Sequence, residues 1–185
     1  MSATESNMLP LGTVAPKFML VEPLTGQIRS LDGLKSEKAT LVMFICNHCP
    51  FVKHVNPQLV ALAYDYMPQG VSIIAISAND VEEFPKDLPV KMAEVAQKLE
   101  YPFPYLYDET QDVARAYHAA CTPDFFLFDG TMKLVYRGQL DGSRPSNSIP
   151  VDGSDLRRAI DAVLAGKKVD ERQLPSIGCN IKWKG

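Results

Sequence analysis

An apolar run of five residues, 41–45, ends directly at the sequence CNHCP, residues 46–50. The run predicts a buried central strand, and the apolar stripe after it predicts a helix that begins near Phe51. The two cysteines therefore lie where a strand meets the start of a helix, with Cys46 near the N-cap. Free backbone N–H groups and the helix dipole favour a thiolate there. A second thiol within one turn can resolve a mixed disulfide, so Cys46 and Cys49 are predicted to form a redox dithiol.

Composition and charge narrow the class of protein. The chain has 185 residues, 46% hydrophobic and 22% charged, with a net charge of −3. These values indicate a globular domain with a real core and no basic surface for nucleic acid. No apolar run reaches the ~18–20 residues that cross a bilayer, so no membrane partner is expected. The first twelve residues lack the pattern of a secretion signal, so we expect a cytoplasmic protein, where four cysteines favour catalysis or metal binding over structural disulfides.

Strand and helix patterns alternate along the chain, which predicts an α/β fold with a mixed central sheet flanked by helices. Strand patterns cover residues 18–21, 27–31, 41–45, 71–77, 105–107, 124–128 and 133–137. Helical patterns begin near Phe51, at Pro89, after Asp108 and at Ser154. The first two strands predict an N-terminal β-hairpin. We expect a flexible N-terminus over residues 1–11, one domain over 12–166, and a C-terminal tail over 167–185 that docks on the domain.

The dithiol at the strand–helix junction and the dipeptide Thr122-Pro123 before a late strand carry a family resemblance. The chain resembles thioredoxin-fold proteins of the redoxin branch, near the thiol-specific antioxidant (AhpC/TSA) and TlpA-like groups, over about residues 12–166. An inserted αβ unit between about Ile76 and Tyr117 is typical of that branch. More closely, CNHCPFVKH from residue 46, CTPDFF from residue 121 and SIGCNIKWK from residue 176 resemble a bacterial subgroup of redoxin-domain proteins.

Roles for the site residues follow from the motif and from this resemblance. Cys46 would attack a substrate disulfide, and Cys49 would release the product. The resemblance implies that His48 stabilises the thiolate; the alternative is an exposed histidine of little effect. Thr122 and Pro123 resemble the cis-proline loop that binds substrate backbone and crowds metal out; the alternative is an ordinary trans bond.

The remaining cysteines leave alternatives open. Cys121 is either a small apolar core residue or a third redox or metal thiol. Cys179 either helps to dock the tail or acts as an additional resolving thiol. One position departs from thioredoxin: the acidic residue usual six positions before the first cysteine is replaced by Thr40. The proton acceptor for Cys49 would then be water, His48 or a distant carboxylate.

The sequence thus predicts a thiol–disulfide oxidoreductase that acts on a protein or small-molecule disulfide with an unidentified electron donor or acceptor, and that needs no cofactor or metal. The alternative is a protein that binds or delivers copper or zinc through its four cysteines. A thiol peroxidase is the third reading. It needs the pattern Pro-x-x-x-Thr/Ser-x-x-Cys, but Met43 and Ala39 occupy those places before Cys46, and Cys46 and Val42 occupy them before Cys49.

Overall fold

The computed structural model describes residues 3–185, and within that range it contains ten β-strands and five α-helices. The strands are β1 (Ala3–Glu5), β2 (Met19–Val21), β3 (Ile28–Ser30), β4 (Ala39–Phe44), β5 (Val71–Ser77), β6 (Tyr105–Tyr107), β7 (Cys121–Thr122), β8 (Asp124–Asp129), β9 (Leu134–Gly138) and β10 (Ile177–Asn180). The helices are α1 (Leu31–Leu34), α2 (Pro50–Tyr66), α3 (Pro89–Lys98), α4 (Asp112–Ala116) and α5 (Ser154–Leu164). Single 3₁₀ turns cover Met67–Gln69 and Pro85–Asp87.

Seven strands form the central sheet in the order β3-β2-β6-β5-β4-β8-β9. β5 runs parallel to both β4 and β6, whereas β8 runs antiparallel to β4 and to β9. β2 and β3 form the expected antiparallel hairpin at one edge of the sheet. The inserted unit adds α3, β6 and α4 to the molecule. The mixed α/β architecture predicted from the sequence is confirmed.

β4 is buried along its whole length because both faces of the sheet are covered. Successive side chains of a strand point to opposite faces, so Leu41 and Met43 join one apolar cluster, while Val42 and Phe44 join another. The first cluster contains residues of α2, α3 and α5, and the second contains residues of α1 and α4. This strand therefore provides a fixed support for the cysteine motif that follows it.

α2 begins at Pro50, with Cys49 as its N-cap. A proline suits the first helical position because its missing N–H has no partner there to lose and its φ is already helical. The helix start thus belongs to Cys49, three residues later than the position that the sequence pattern suggests for Cys46. Val55 and Leu59 on the buried face anchor the helix to the sheet, and Pro57 lies inside it.

A second, three-stranded sheet has the order β1-β10-β7 and joins both ends of the chain to the centre of the molecule. In its antiparallel ladders Cys179 lies opposite both Ala3 and Thr122. A Cβ added at Gly178 would lie 2.0 Å from the carbonyl oxygen of Thr122, so the close approach of β10 to β7 requires glycine. The C-terminal strand is therefore seated directly against the Thr122-Pro123 segment.

Residues 3–5, which the sequence predicts to belong to a flexible N-terminus, form a strand. The domain boundaries at residues 12 and 166 stay a prediction. In the described part of the chain, no helix combines the length and apolar character that crossing a membrane requires.

Candidate active site

The two motif cysteines lie between the end of β4 and the first turn of α2, and both are buried. Cys46 exposes 2% of its surface and Cys49 exposes none. The carbonyl of Cys49 accepts hydrogen bonds from the backbone N–H groups of Val52 and Lys53, at 3.1 and 3.0 Å, which closes the first turn. The strand and the helix thus fix both backbone positions.

The segment around Thr122 and Pro123 packs directly on the dithiol. Its peptide bond is cis, as the resemblance implies. The Oγ1 of Thr122 lies 3.5 Å from the Sγ of Cys46, and the carbonyl oxygen of Thr122 lies 3.3 Å from the Sγ of Cys49. Thr122 is therefore in contact with both sulfurs, whereas its role towards a substrate stays a prediction.

His48 is held by a buried carboxylate. Its Nδ1–H donates to Oδ2 of Asp87 at 2.5 Å, and its ring stacks on Phe84 with centroids 5.5 Å apart. The same carboxylate accepts from the backbone N–H of Asn47 at 2.8 Å and from the side-chain amide of Asn79 at 2.9 Å. His48 is thus an oriented side chain in the site and not an exposed surface histidine. Its Nε2 is buried and has no hydrogen-bond partner in residues 3–185.

The electrostatic surroundings of the two sulfurs differ. The pKa of Cys49 falls to about 5, because its sulfur accepts hydrogen bonds from Cys46 above all, then from Cys179 and from the backbone N–H of Val52. The pKa of Cys46 rises well above its ordinary value, because its hydrogen bond to Cys49 holds its proton, burial disfavours the thiolate, and the charge of Asp87 adds to this. At neutral pH the pair therefore shares one proton, and the direction of the two pKa shifts favours its place on Cys46.

The two other cysteines occupy different environments. The Sγ of Cys179 lies 2.7 Å from the Sγ of Cys49. The Sγ of Cys121 instead faces the carbonyl oxygens of Pro123 and Ser176, at 3.6 and 3.9 Å. Burial raises the pKa of Cys121, which keeps it a neutral thiol. Its environment is that of a core residue, whereas Cys179 extends the dithiol to three neighbouring sulfurs.

Asp87 and Phe84 are site residues that the sequence did not identify. They lie in and beside the 3₁₀ turn Pro85–Asp87, some forty residues beyond the motif. Their only sequence signal is a polar loop inside the inserted unit, and such loops are usually solvated. Tyr105 is a further addition, since its hydroxyl donates to the side-chain oxygen of Asn47 at 2.9 Å. The insert therefore completes the side of the site that faces His48.

The arrangement of possible metal ligands differs from the four-cysteine set considered above. In the described residues, the cluster whose ligand atoms all lie within 4.8 Å of one another is Cys46, His48 and Asp87. Two of its members already form a hydrogen bond to each other, and Cys121 faces carbonyl oxygens. The geometry therefore does not favour a soft-metal site built from the four cysteines.

The family of the chain follows from a match over most of its length. A family model described as the AhpC/TSA family matches residues 11–137. The chain belongs to the AhpC/TSA family. The matched range includes the dithiol and the cis-proline segment, and it ends before β10, which carries Cys179.

Individual relatives of this family member agree with that assignment. The thiol-disulfide oxidoreductase ResA of Geobacillus kaustophilus is 27% identical over 139 residues, which cover 74% of this chain and 75% of the relative. The crystal structure of an uncharacterized conserved protein from Geobacillus kaustophilus is 61% identical with a TM-score of 0.98, and the match covers 100% of this chain and 97% of that one.

A more distant structure shows the fold. The thioredoxin domain of a thiol-disulfide oxidoreductase from Bacteroides vulgatus matches with a TM-score of 0.59 at 23% identity, over 71% of this chain and 89% of that one. The thioredoxin-like fold implied by the sequence is thus confirmed, and the ResA relative supports an oxidoreductase role.

Proposed function

We propose that this AhpC/TSA family member catalyses thiol–disulfide exchange through Cys46 and Cys49, with a protein or small-molecule disulfide as its substrate. The observation that carries the proposal is the contact of both motif sulfurs, at the start of α2, with the cis Thr122-Pro123 segment, and the lowered pKa of Cys49 beside the raised pKa of Cys46 agrees with it. A thiolate beside a protonated thiol forms a base and a nucleophile in contact. The name of the ResA relative supports the same chemistry.

In the proposed reaction Cys46 attacks first, because Cys49 is enclosed by Thr122 and Cys179. The Cys46 sulfur forms a bond to one sulfur of the substrate disulfide while its proton moves to the Cys49 thiolate. The other substrate sulfur leaves as a thiolate and then takes the proton from Cys49. The restored Cys49 thiolate attacks Cys46, which forms the Cys46–Cys49 disulfide and releases the second substrate thiolate. The substrate is reduced by two electrons, and the dithiol is oxidised by two.

The surroundings of Cys46 give the other predicted residues their roles in this proposal. The backbone of Thr122 already pairs with β10, which leaves its hydroxyl and the ring of Pro123 to contact a substrate beside Cys46. His48 is oriented by Asp87, and in this proposal a ring nitrogen within 4.8 Å of the Cys46 sulfur lets its imidazole influence the charge on that sulfur. In this scheme Asp87 is a positioning residue, because it acts through His48 and through its charge.

The proposal is tested by reduction of insulin disulfides with dithiothreitol as electron donor. Cys46→Ser should lower the catalysed rate by at least ~1,000-fold, as expected when a nucleophile is removed. Cys49→Ser should stop after the first step and retain a mixed disulfide on Cys46 when it is treated with an aromatic disulfide. Cys121→Ser is the matched control and should keep the wild-type rate. A Cys46→Ser variant as active as the wild type would contradict the proposal.

A thiol peroxidase is less well supported by this site. Ala39 and Met43, which occupy the places of the required proline and hydroxyl residue, are buried within β4. No hydroxyl is thus presented to a peroxide from those positions.

A further inference from the structure

We infer that Cys179 is a third redox thiol, which forms a disulfide with Cys49 after the Cys46–Cys49 pair has been oxidised. The inference rests on the proposed function and extends it to the C-terminal strand. The two Sγ atoms lie 2.7 Å apart and both side chains are buried, with exposures of 0% for Cys49 and 3% for Cys179. Cys49 therefore has two neighbouring thiols, Cys46 and Cys179.

The backbone holds this second pair in place independently of the sulfur contact. Cys49 is fixed as the N-cap of α2. Cys179 is fixed by the ladder that places it opposite Thr122, and by the close approach of Gly178 to the same residue. Because both attachment points belong to regular structure, the sulfurs can meet with little movement of the chain.

Cys121 shows that a backbone position close to the dithiol is not sufficient for disulfide exchange. It lies beside Thr122 in β7 and opposite Asn180 of β10. Its sulfur nevertheless faces the carbonyl oxygens of Pro123 and Ser176. The orientation of the side chain selects Cys179 for exchange, and Cys121 supplies the matched control.

The exchange changes no oxidation state overall. The sulfur of Cys179 attacks the Cys49 sulfur of the Cys46–Cys49 disulfide. The Cys49–Cys179 bond forms, the Cys46–Cys49 bond breaks, and its electron pair leaves on the Cys46 sulfur. The proton of Cys179 is transferred to Cys46. Burial raises the pKa of Cys179 to about 12, so its proton leaves as the new bond forms. The substrate disulfide supplies the oxidation, and no further oxidant is needed.

The new bond has two consequences for the site. It returns Cys46 to the thiol form while the protein as a whole remains oxidised. It also fastens β10 covalently to α2, across the backbone edge of Thr122 that β10 occupies. The tail would then be locked beside the dithiol in the oxidised protein and held only by packing and hydrogen bonds in the reduced one.

Tryptic mapping of the full-length protein tests this pairing. Cleavage places Cys46 and Cys49 in the peptide 39–53, Cys121 in 116–133 and Cys179 in 173–182. The Cys46→Ser variant is oxidised with diamide, which takes up the two electrons, and the remaining thiols are then alkylated. We expect peptide 39–53 to be linked to 173–182 in most molecules, and peptide 116–133 to be alkylated.

Two controls make the result decisive. Cys49→Ser should not form the linkage efficiently, because the thiol that contacts Cys179 has been removed. Cys121→Ser, otherwise wild type, should form both the bond within 39–53 and the linkage to 173–182. Free Cys49 and Cys179 in oxidised Cys46→Ser would overturn the inference, as would an equal linkage in Cys49→Ser. If the linkage is absent but insulin is reduced, only this inference fails; if it forms without insulin reduction, the proposed function fails instead.

Discussion

The Sγ of Cys46 faces a carboxylate, whereas the Sγ of Cys49 accepts hydrogen bonds. At Cys46, burial and the charge of Asp87 disfavour a negative charge on the sulfur. At Cys49, hydrogen bonds from Cys179 and from the backbone N–H of Val52 add to the hydrogen bond from Cys46, and all three favour a negative charge on the sulfur. Two cysteines separated by two residues therefore have opposite shifts of their pKa.

The difference shows that the motif alone does not set its own chemistry. Asp87 comes from the inserted unit, and Cys179 comes from the C-terminal strand β10. A helix N-terminus favours a thiolate, and here that position belongs to Cys49. The lowered pKa thus falls on Cys49 at the helix start, and the raised pKa falls on Cys46 beside the carboxylate.

The largest expected effect comes from displacing β10, the strand beside Cys49. Gly178→Ala would place a Cβ 2.0 Å from the Thr122 carbonyl oxygen, so β10 or β7 must move. We expect the free energy of unfolding, measured in urea, to fall by about 3 kcal/mol. Alkylation of Cys179 in the folded protein should become faster, because the strand that buries it is displaced.

Gly142→Ala is the matched control for this substitution. A Cβ at Gly142 would meet its nearest neighbour, a methyl group of Ile149, at the ordinary distance of 3.5 Å. Its free energy of unfolding should stay within ~0.5 kcal/mol of the wild type. Equal stability of the two variants would show that β10 is not seated on Thr122.

The sequence predicts the part of the site that the CNHCP motif supplies, and it predicts much of the fold around that motif. The apolar run before Cys46 and the apolar stripe after it are local patterns, so β4 and α2 could be located. The sequence pattern suggests an N-cap near Cys46, because periodicity does not reveal that Pro50 takes the first helical position.

Other contacts could not be predicted, because no local pattern encodes them. The carboxylate of Asp87 reaches His48 through the packing of the insert, and its polar loop resembles any solvated loop. Cys179 reaches Cys49 through an antiparallel register between two short strands, and a two-residue strand such as β7 leaves no periodicity to detect. The sequence leaves two roles open for Cys179, docking of the tail and an additional resolving thiol, because it lacks this long-range information.

A second prediction concerns the charge on Cys49. Since its pKa is lowered from 9.0 to about 5, the reduced protein should show thiolate absorbance that is present above pH 5 and lost as the pH falls through it. Cys49→Ser should remove this transition, and Cys121→Ser should retain it. A single thiolate transition near the ordinary value in the wild type would show that the donors around Cys49 do not act on its sulfur.

The smallest expected effect concerns Asp87 and the pKa of Cys46. Asp87→Asn keeps the hydrogen-bonding shape of the side chain but removes the charge that raises the pKa of Cys46. To isolate Cys46, the substitution is made in a Cys49→Ser background, and its pKa is followed by the pH dependence of alkylation. We expect the pKa to fall relative to Cys49→Ser alone, with a loss of about 1–3 kcal/mol in the free energy of unfolding because a buried charged hydrogen bond is weakened.

Glu94→Gln in the same background is the control for Asp87→Asn. Glu94 lines the groove beside His48, but its side chain is 57% exposed, so solvent screens its charge and the pKa of Cys46 should not move. His48→Asn separates the two routes by which Asp87 acts. If His48→Asn shifts the pKa of Cys46 as Asp87→Asn does, the carboxylate acts through the imidazole; if only Asp87→Asn shifts it, the charge acts directly on the sulfur. An unchanged pKa in Asp87→Asn would remove the electrostatic contrast between the two cysteines.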